Sequence, residues 1–212
     1  NGITSSMTFS LIYDKRNDRF APTKGIFSSM ALEYAGLGGD RHYTKGNAIF
    51  RYYKKLFWEL VWRNNINYGF ISSNNSDEVP FDELFLLCGA NTLIGYRCFT
   101  VRKRKYSQDA FYKTNDIFDH QRPYGGTQQF FYQMELQFPL IAEAGINGVV
   151  FYDIGNADDS LILDEFRSDV GFGFRWFSPI GPLRFEWGFP IDRDLDFDEE
   201  PVNFQFAIGS PF

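Results

Sequence analysis

Along much of the chain apolar and polar residues alternate one for one, the two-residue period of a strand with unlike faces. The clearest run is Gln129 to Phe138, where Phe130, Tyr132, Met134, Leu136 and Phe138 alternate with Gln129, Phe131, Gln133, Glu135 and Gln137. Met7, Phe9, Leu11 and Tyr13 alternate with Thr8, Ser10 and Asp14, broken by Ile12, and Met30, Leu32 and Tyr34 alternate with Ser29, Ala31 and Glu33. A longer, less clean run covers Tyr43 to Lys54, with Phe50 and Tyr52 set against Arg51. Trp58, Leu60, Trp62, Ile66 and Tyr68 face away from Glu59, Arg63, Asn65 and Asn67. Later, Val170, Phe172, Phe174 and Trp176 oppose Asp169, Gly171, Gly173 and Arg175, and Leu183, Phe185, Trp187 and Phe189 oppose Arg184, Glu186 and Gly188. The last run sets Phe204, Phe206 and Ile208 against Asn203, Gln205, Ala207 and Gly209. With Gly148 to Gly155 the pattern predicts nine strands.

Most runs extend over about 9–11 residues, the length a tilted strand needs to cross a hydrocarbon layer. The apolar face carries long aromatics, which suit a lipid-facing wall with ring girdles at its rims. Composition strengthens this: 19 % of the 212 residues are aromatic (Phe 25, Tyr 12, Trp 4), yet mean hydropathy is −0.31. No stretch approaches the roughly 20 apolar residues of a membrane-spanning helix, so any crossing is made by strands, and strands in lipid must close into a barrel to satisfy their backbones. A short turn at Ser178 to Pro182 and longer polar connections at Asn156 to Glu165 and Ile191 to Pro201 fit the two unlike rims of such a barrel. Bacterial single-chain barrels normally have an even strand count, so either strands are missing from the N-terminal side or the count is off. No signal peptide stands at Asn1, which implies a start after processing or inside a longer protein. A soluble sandwich or lipocalin-like barrel would need its aromatic face inside and more Lys and Glu outside.

The formal charge of −6 argues against nucleic acid as a partner. One basic run, Arg102 to Lys105, reads as a solvated loop or as a phosphate or lipid-head-group patch. The acidic run Asp194 to Glu200 lacks the glycine and ligand order of a calcium hand and reads as a solvated or lipopolysaccharide-bridging loop. Cys88 and Cys98 could pair in an oxidising compartment, but two thiols make neither a disulfide framework nor a zinc site. His42 and His120 stand in no nucleophile motif, and no phosphate cradle is present. Neither catalysis, a cofactor nor a metal is expected.

Between about residues 72 and 126 the alternation stops. The stretch turns apolar at Phe85 to Cys88 and continues through Gly89, Leu93, Ile94, Gly95, Tyr96 and Arg97. It reads as a loop tip packed against something or as a short extra strand; so long a connection in a compact protein is functional or disordered.

Gly89 to Tyr96 resembles the Gly-rich lead-in and Val-Arg-Gly-Phe/Tyr motif of the BamA-type family of outer-membrane-protein assembly barrels, the bacterial surface antigens. Gly95 and Tyr96 match, Leu93 fits the aliphatic position, and Ile94 replaces the motif's arginine. Tyr124 to Thr127, Met134 to Leu140, Phe151 to Asn156, Arg175 to Arg184 and the Asp14 to Gly25 hairpin are similar to further segments of that family. The resemblance implies an all-β, transmembrane antiparallel barrel of about 16 strands, of which residues 1–212 form the C-terminal part. It places residues 72–126 inside the lumen. It implies insertion and folding of other barrels into the bacterial outer membrane, with unfolded clients, outer-membrane lipid, lipopolysaccharide and accessory lipoproteins as partners. A secretion barrel of the same superfamily and a passive porin or receptor are the other readings. In the family the motif arginine is clamped by lumenal carboxylates, here Glu135 and Asp153. With Ile94 in its place, two readings stand: Arg97 swings in as the substitute, or water in the lumen suffices. Phe204, Phe206, Ile208 and Phe212 match a closing-strand assembly signal, and Pro211, without an N–H, weakens pairing there.

Overall fold

A computed structural model describes residues 3–75, 79–97, 101, 125–162, 165–178, 181–193 and 200–209. Its strands are β1 (Thr4–Asp14), β2 (Gly25–Gly39), β3 (Tyr43–Lys55), β4 (Val61–Ser73), β5 (Gln128–Ile141), β6 (Ile146–Asp158), β7 (Arg167–Ser178), β8 (Gly181–Pro190) and β9 (Asn203–Ile208). All nine predicted strands form. They build one antiparallel meander in sequence order, with β1 and β9 at its two edges. Among the described residues no helix is long and apolar enough to cross a membrane, which leaves strand crossings untouched.

The fourth strand begins later than the alternation suggests. Trp58 and Glu59 are not in it; they take left-handed backbone angles (φ 52° and 63°). Leu60 N–H donates to Phe57 C=O at 2.9 Å, which makes a tight turn of the twist that hairpins favour. Trp58 is 89 % exposed at its tip. A turn that interrupts two apolar runs of matching parity leaves no trace in the alternation.

The sheet is inverted relative to a soluble protein. Its buried side carries Arg63, Asn65, Gln133, Glu135, Asp153, Asp169, Arg175, Arg184 and Glu186, while Phe9, Leu11, Met30, Leu32, Phe172, Phe204 and Phe206 are exposed on the other. On β5 the split follows the predicted parity: Gln129, Phe131, Gln133 and Glu135 are buried, whereas Phe130, Tyr132, Met134 and Leu136 are half-exposed. Rings stack along the outer face, with Phe174 and Phe185 4.7 Å apart between β7 and β8. Apolar out and polar in is the arrangement of a membrane barrel wall.

The described residues of the connection between β4 and β5 pack on the polar face. Phe85, Leu87, Leu93 and Tyr96 from it pack with Tyr43, Ile71, Phe131 and Ala157 of the wall into one apolar cluster. Glycines make room. A Cβ at Gly155 would lie 3.0 Å from Leu87 Cδ1, and one at Gly171 would lie 2.3 Å from Trp187 C=O and 2.1 Å from the Phe151 ring.

Candidate functional site: the lumenal loop and the wall beneath it

The loop is tied before it turns. Phe85 and Gly126 exchange two backbone hydrogen bonds at 2.9 Å, an isolated bridge rather than an extra strand. Gly89, at φ 77°, occupies the left-handed region that its lack of a Cβ permits. Two tight turns follow: Thr92 N–H donates to Gly89 C=O at 3.2 Å and Tyr96 N–H to Leu93 C=O at 3.4 Å. Ile94 and Gly95 are the middle residues of the second turn and lie against the wall.

Wall side chains hold the loop mainly by its backbone. Gln133 donates to Thr92 C=O at 2.6 Å, Arg184 to Ala90 C=O at 2.6 Å and to Asn91 Oδ1 at 2.9 Å. Asn203 donates to Ile94 C=O at 2.8 Å and to Tyr96 C=O at 3.2 Å. In return the Tyr96 hydroxyl donates to Ser168 C=O at 3.0 Å. Leu93, Ile94 and Tyr96 are buried.

Below the loop the wall carries a chain of alternating charges. Arg63 approaches Glu135 at 3.4 Å. Arg175 grips both Glu135 oxygens, at 2.7 and 2.6 Å, and also donates to Glu186. Arg184 closes the series on Glu186 at 2.7 Å. Bidentate guanidinium–carboxylate pairs of this length are among the stronger protein hydrogen bonds. The residues come from β4, β5, β7 and β8, so the network spans four strands.

Asp153 and Asp169 differ. They are directly opposed across β6 and β7, and both are fully buried. Ile94 N–H reaches Asp153 Oδ2 at 3.5 Å. Asp153 Oδ1 and both Asp169 oxygens have no hydrogen-bond partner among the described residues.

The expectation for Arg97 is corrected. Its guanidinium pairs with Glu200 at 2.6 Å, at an exposed site, and not with Glu135 or Asp153. The 93–96 turn swings the chain away from the carboxylates before Arg97 is reached. Glu135 is held by Arg175 and Arg63, which sequence reasoning did not assign as its partners. The alternation did place Arg175, Arg184 and Glu186 on one face of their strands, but only cross-strand register shows that they meet. Phe204, Phe206 and Ile208 point outward on β9, with Phe185–Phe206 and Trp187–Phe204 ring contacts of 5.1 Å. Phe212 and Pro211 lie outside the described residues, as do Arg102 to Lys105 and Asp194 to Glu199. Cys88 is disulfide-bonded; Cys98 lies outside the described residues. Among the described residues no group of three or more His, Cys, Asp or Glu could hold a metal ion.

The chain is similar to known proteins along its length. It is 29 % identical over 205 residues, 94 % of the chain and 24 % of the relative, to the outer membrane protein assembly factor BamA of Nitratidesulfovibrio vulgaris. It is 27 % identical over 216 residues to a SAM50-like protein of Drosophila melanogaster, covering 99 % of the chain and 46 % of the relative. It thus spans less than half the length of either relative. The crystal structure of BamA from Haemophilus ducreyi lacking POTRA domains 1–3 superposes with a TM-score of 0.78, at 23 % identity, over 98 % of this chain and 42 % of that one. The inverted sheet is thus the C-terminal part of an outer-membrane β-barrel. The Omp85 superfamily domain matches residues 1–212, and the chain belongs to that superfamily.

Proposed function

We propose that the chain is part of a barrel that inserts and folds other β-barrel proteins into the bacterial outer membrane. The observation that carries this reading is the disparity of the strands at one edge. β9 has 6 residues, whereas β4 has 13 and β5 has 14. A short edge strand is the easiest to detach from whatever strand closes the barrel upon it, and a detached edge offers a row of unpaired N–H and C=O groups. An unfolded client strand can add to that edge by main-chain hydrogen bonds, as in other β-augmentation. The outward Phe204 and Phe206 keep the opened edge apolar toward lipid. No bond is made or broken, and no cofactor or metal takes part. The names of the relatives, assembly factor BamA and SAM50-like, support this reading.

The partners under this proposal are unfolded barrel clients, the surrounding lipid and lipopolysaccharide, and accessory lipoproteins of an assembly complex. Depletion of the parent protein in its own organism is the test. A general fall in outer-membrane barrels is the expected result. Loss of a single secreted polypeptide, with barrel levels unchanged, would instead identify a secretion barrel of the same superfamily.

A further inference from the structure

Most of the loop contacts fasten the motif to the interior of the wall, but one pair of strands fastens it to the edge. Gly188 on β8 and Asn203 on β9 are register partners. A Cβ at Gly188 would lie 2.4 Å from Gly95 N and 2.6 Å from Gly95 Cα. Only a glycine there lets the motif backbone lie directly on β8. That contact brings the carbonyls of Ile94 and Tyr96 within reach of the next strand, where the Asn203 amide nitrogen donates to both, at 2.8 and 3.2 Å. A second link runs parallel to it: Arg97 pairs with Glu200, three residues ahead of Asn203 in the chain. This outer pair is solvent-exposed and contributes little by itself. Among the described residues the ladder of β9 to β8 runs over Leu183 to Gly188, extended by Gly209 N–H donating to Pro182 C=O at 2.8 Å.

From this geometry we infer that the infolded loop is a latch on the edge strand. Asn203 is the positioning residue, and Gly188 is the bare seat that lets the latch engage. While Gly95 is seated, β9 is held from two sides, by β8 in the sheet and by the loop carbonyls from the lumen. When the loop lifts, Asn203 loses both acceptors at once and β9 is left with its short ladder to β8. Loop position thereby sets how readily the edge opens. Because Asn203 addresses main-chain carbonyls, the latch needs no particular side chain at position 94, and isoleucine serves there. The inference rests on the reading of β9 as an opening edge and adds what governs the opening.

The test uses the full-length parent protein in lipid, with hydrogen exchange read by mass spectrometry. Asn203→Asp keeps the shape but replaces the donor with a carboxylate facing two carbonyls. The expected result is a rise of about tenfold in exchange of the β9 amides, the order expected from a lost buried hydrogen bond, with β3 amides unchanged. Gly188→Ala attacks the latch from the other strand and should raise β9 exchange in the same way. Unchanged β9 exchange in both variants, or an equal rise in β3, would overturn the latch, the latter because it marks general destabilisation. Client folding by the unaltered parent is measured alongside. If the parent folds no client while β9 exchange still rises, the latch stands and the assembly function falls.

Discussion

Glu135 and Asp153 stand on adjacent strands of one wall, on the same face and equally shielded from solvent, yet they are provided for differently. Glu135 has Arg175 on both oxygens and Arg63 at 3.4 Å. Asp153 has another carboxylate, Asp169, directly across the strand pair and one long backbone contact from the loop. The difference lies in register, not composition. Arg175 of β7 reaches over β6 to Glu135 of β5, whereas the β6–β7 register sets two carboxyl groups directly opposite each other. One half of the wall is a matched network; the other sets two buried carboxyl groups side by side, with no cation among the described residues paired to either.

The largest test of that contrast is Arg175→Met, which leaves Glu135 and Glu186 without their shared partner. Removing one member of a buried ion network costs about 3–5 kcal/mol, so urea unfolding of the detergent-solubilised parent should show a loss of that order. Arg175→Lys, which keeps the charge but not the fork, should fall between. Glu135→Gln is the next test, with an expected loss of about 2 kcal/mol, the scale of a charged hydrogen bond. The same carboxylate-to-amide change at Asp169 should act with opposite sign. It relieves the crowding of two carboxyl groups in direct cross-strand register, and the parent should gain about 1 kcal/mol in the same unfolding measurement. Equal losses at Glu135 and Asp169 would break the comparison.

The smallest effect concerns a carboxylate outside the barrel wall. In the turn between β1 and β2 Asp18 accepts from Phe20 N–H at 2.7 Å and Ala21 N–H at 2.8 Å. The Ala21 and Phe20 amides hold its pKa below the ordinary carboxylate value of 3.8. A lowered folded-state pKa stabilises above the unfolded value and loses that contribution as pH falls through the folded one. The turn should therefore keep its order at neutral pH and loosen only under strongly acidic conditions, seen as lost protection of the Phe20 and Ala21 amides. Asp18→Asn should remove the pH dependence.

The sequence made the strands and their faces readable because each alternation is local: a residue and its second neighbour must share a face whatever the rest of the chain does. The position of Glu135 on the polar face follows from that alone; the strand of Asp153 alternates less cleanly, because Val149 and Phe151 share its buried face. The partners of Glu135 do not follow, since pairing Arg175 with it depends on the alignment of separate strands across the sheet. Arg97 shows the limit from the other direction. It is close to Ile94 in sequence, but one tight turn sends it to Glu200. Trp58 fails for a third reason, because a turn that preserves parity is invisible to a period-two pattern. The Asn203 contact was out of reach for a related cause: an asparagine donating to main-chain carbonyls selects for loop path, not for any complementary residue that a sequence could display.

Gly171, Gly173 and Gly188 carry a further consequence, in the chain's tolerance of random change. A Cβ at Gly173 would meet Phe185 C=O at 2.4 Å, much as one at Gly171 would meet Trp187 C=O. Nothing in their own backbone angles demands glycine; the occupied space above them does. The outer surface of the same strands can exchange one apolar side chain for another and still face lipid. Under mutation, β7 and β8 should thus drift freely on one side and hardly at all on the other, a boundary drawn by neighbouring strands at Gly171 and Gly173 and by the loop at Gly188.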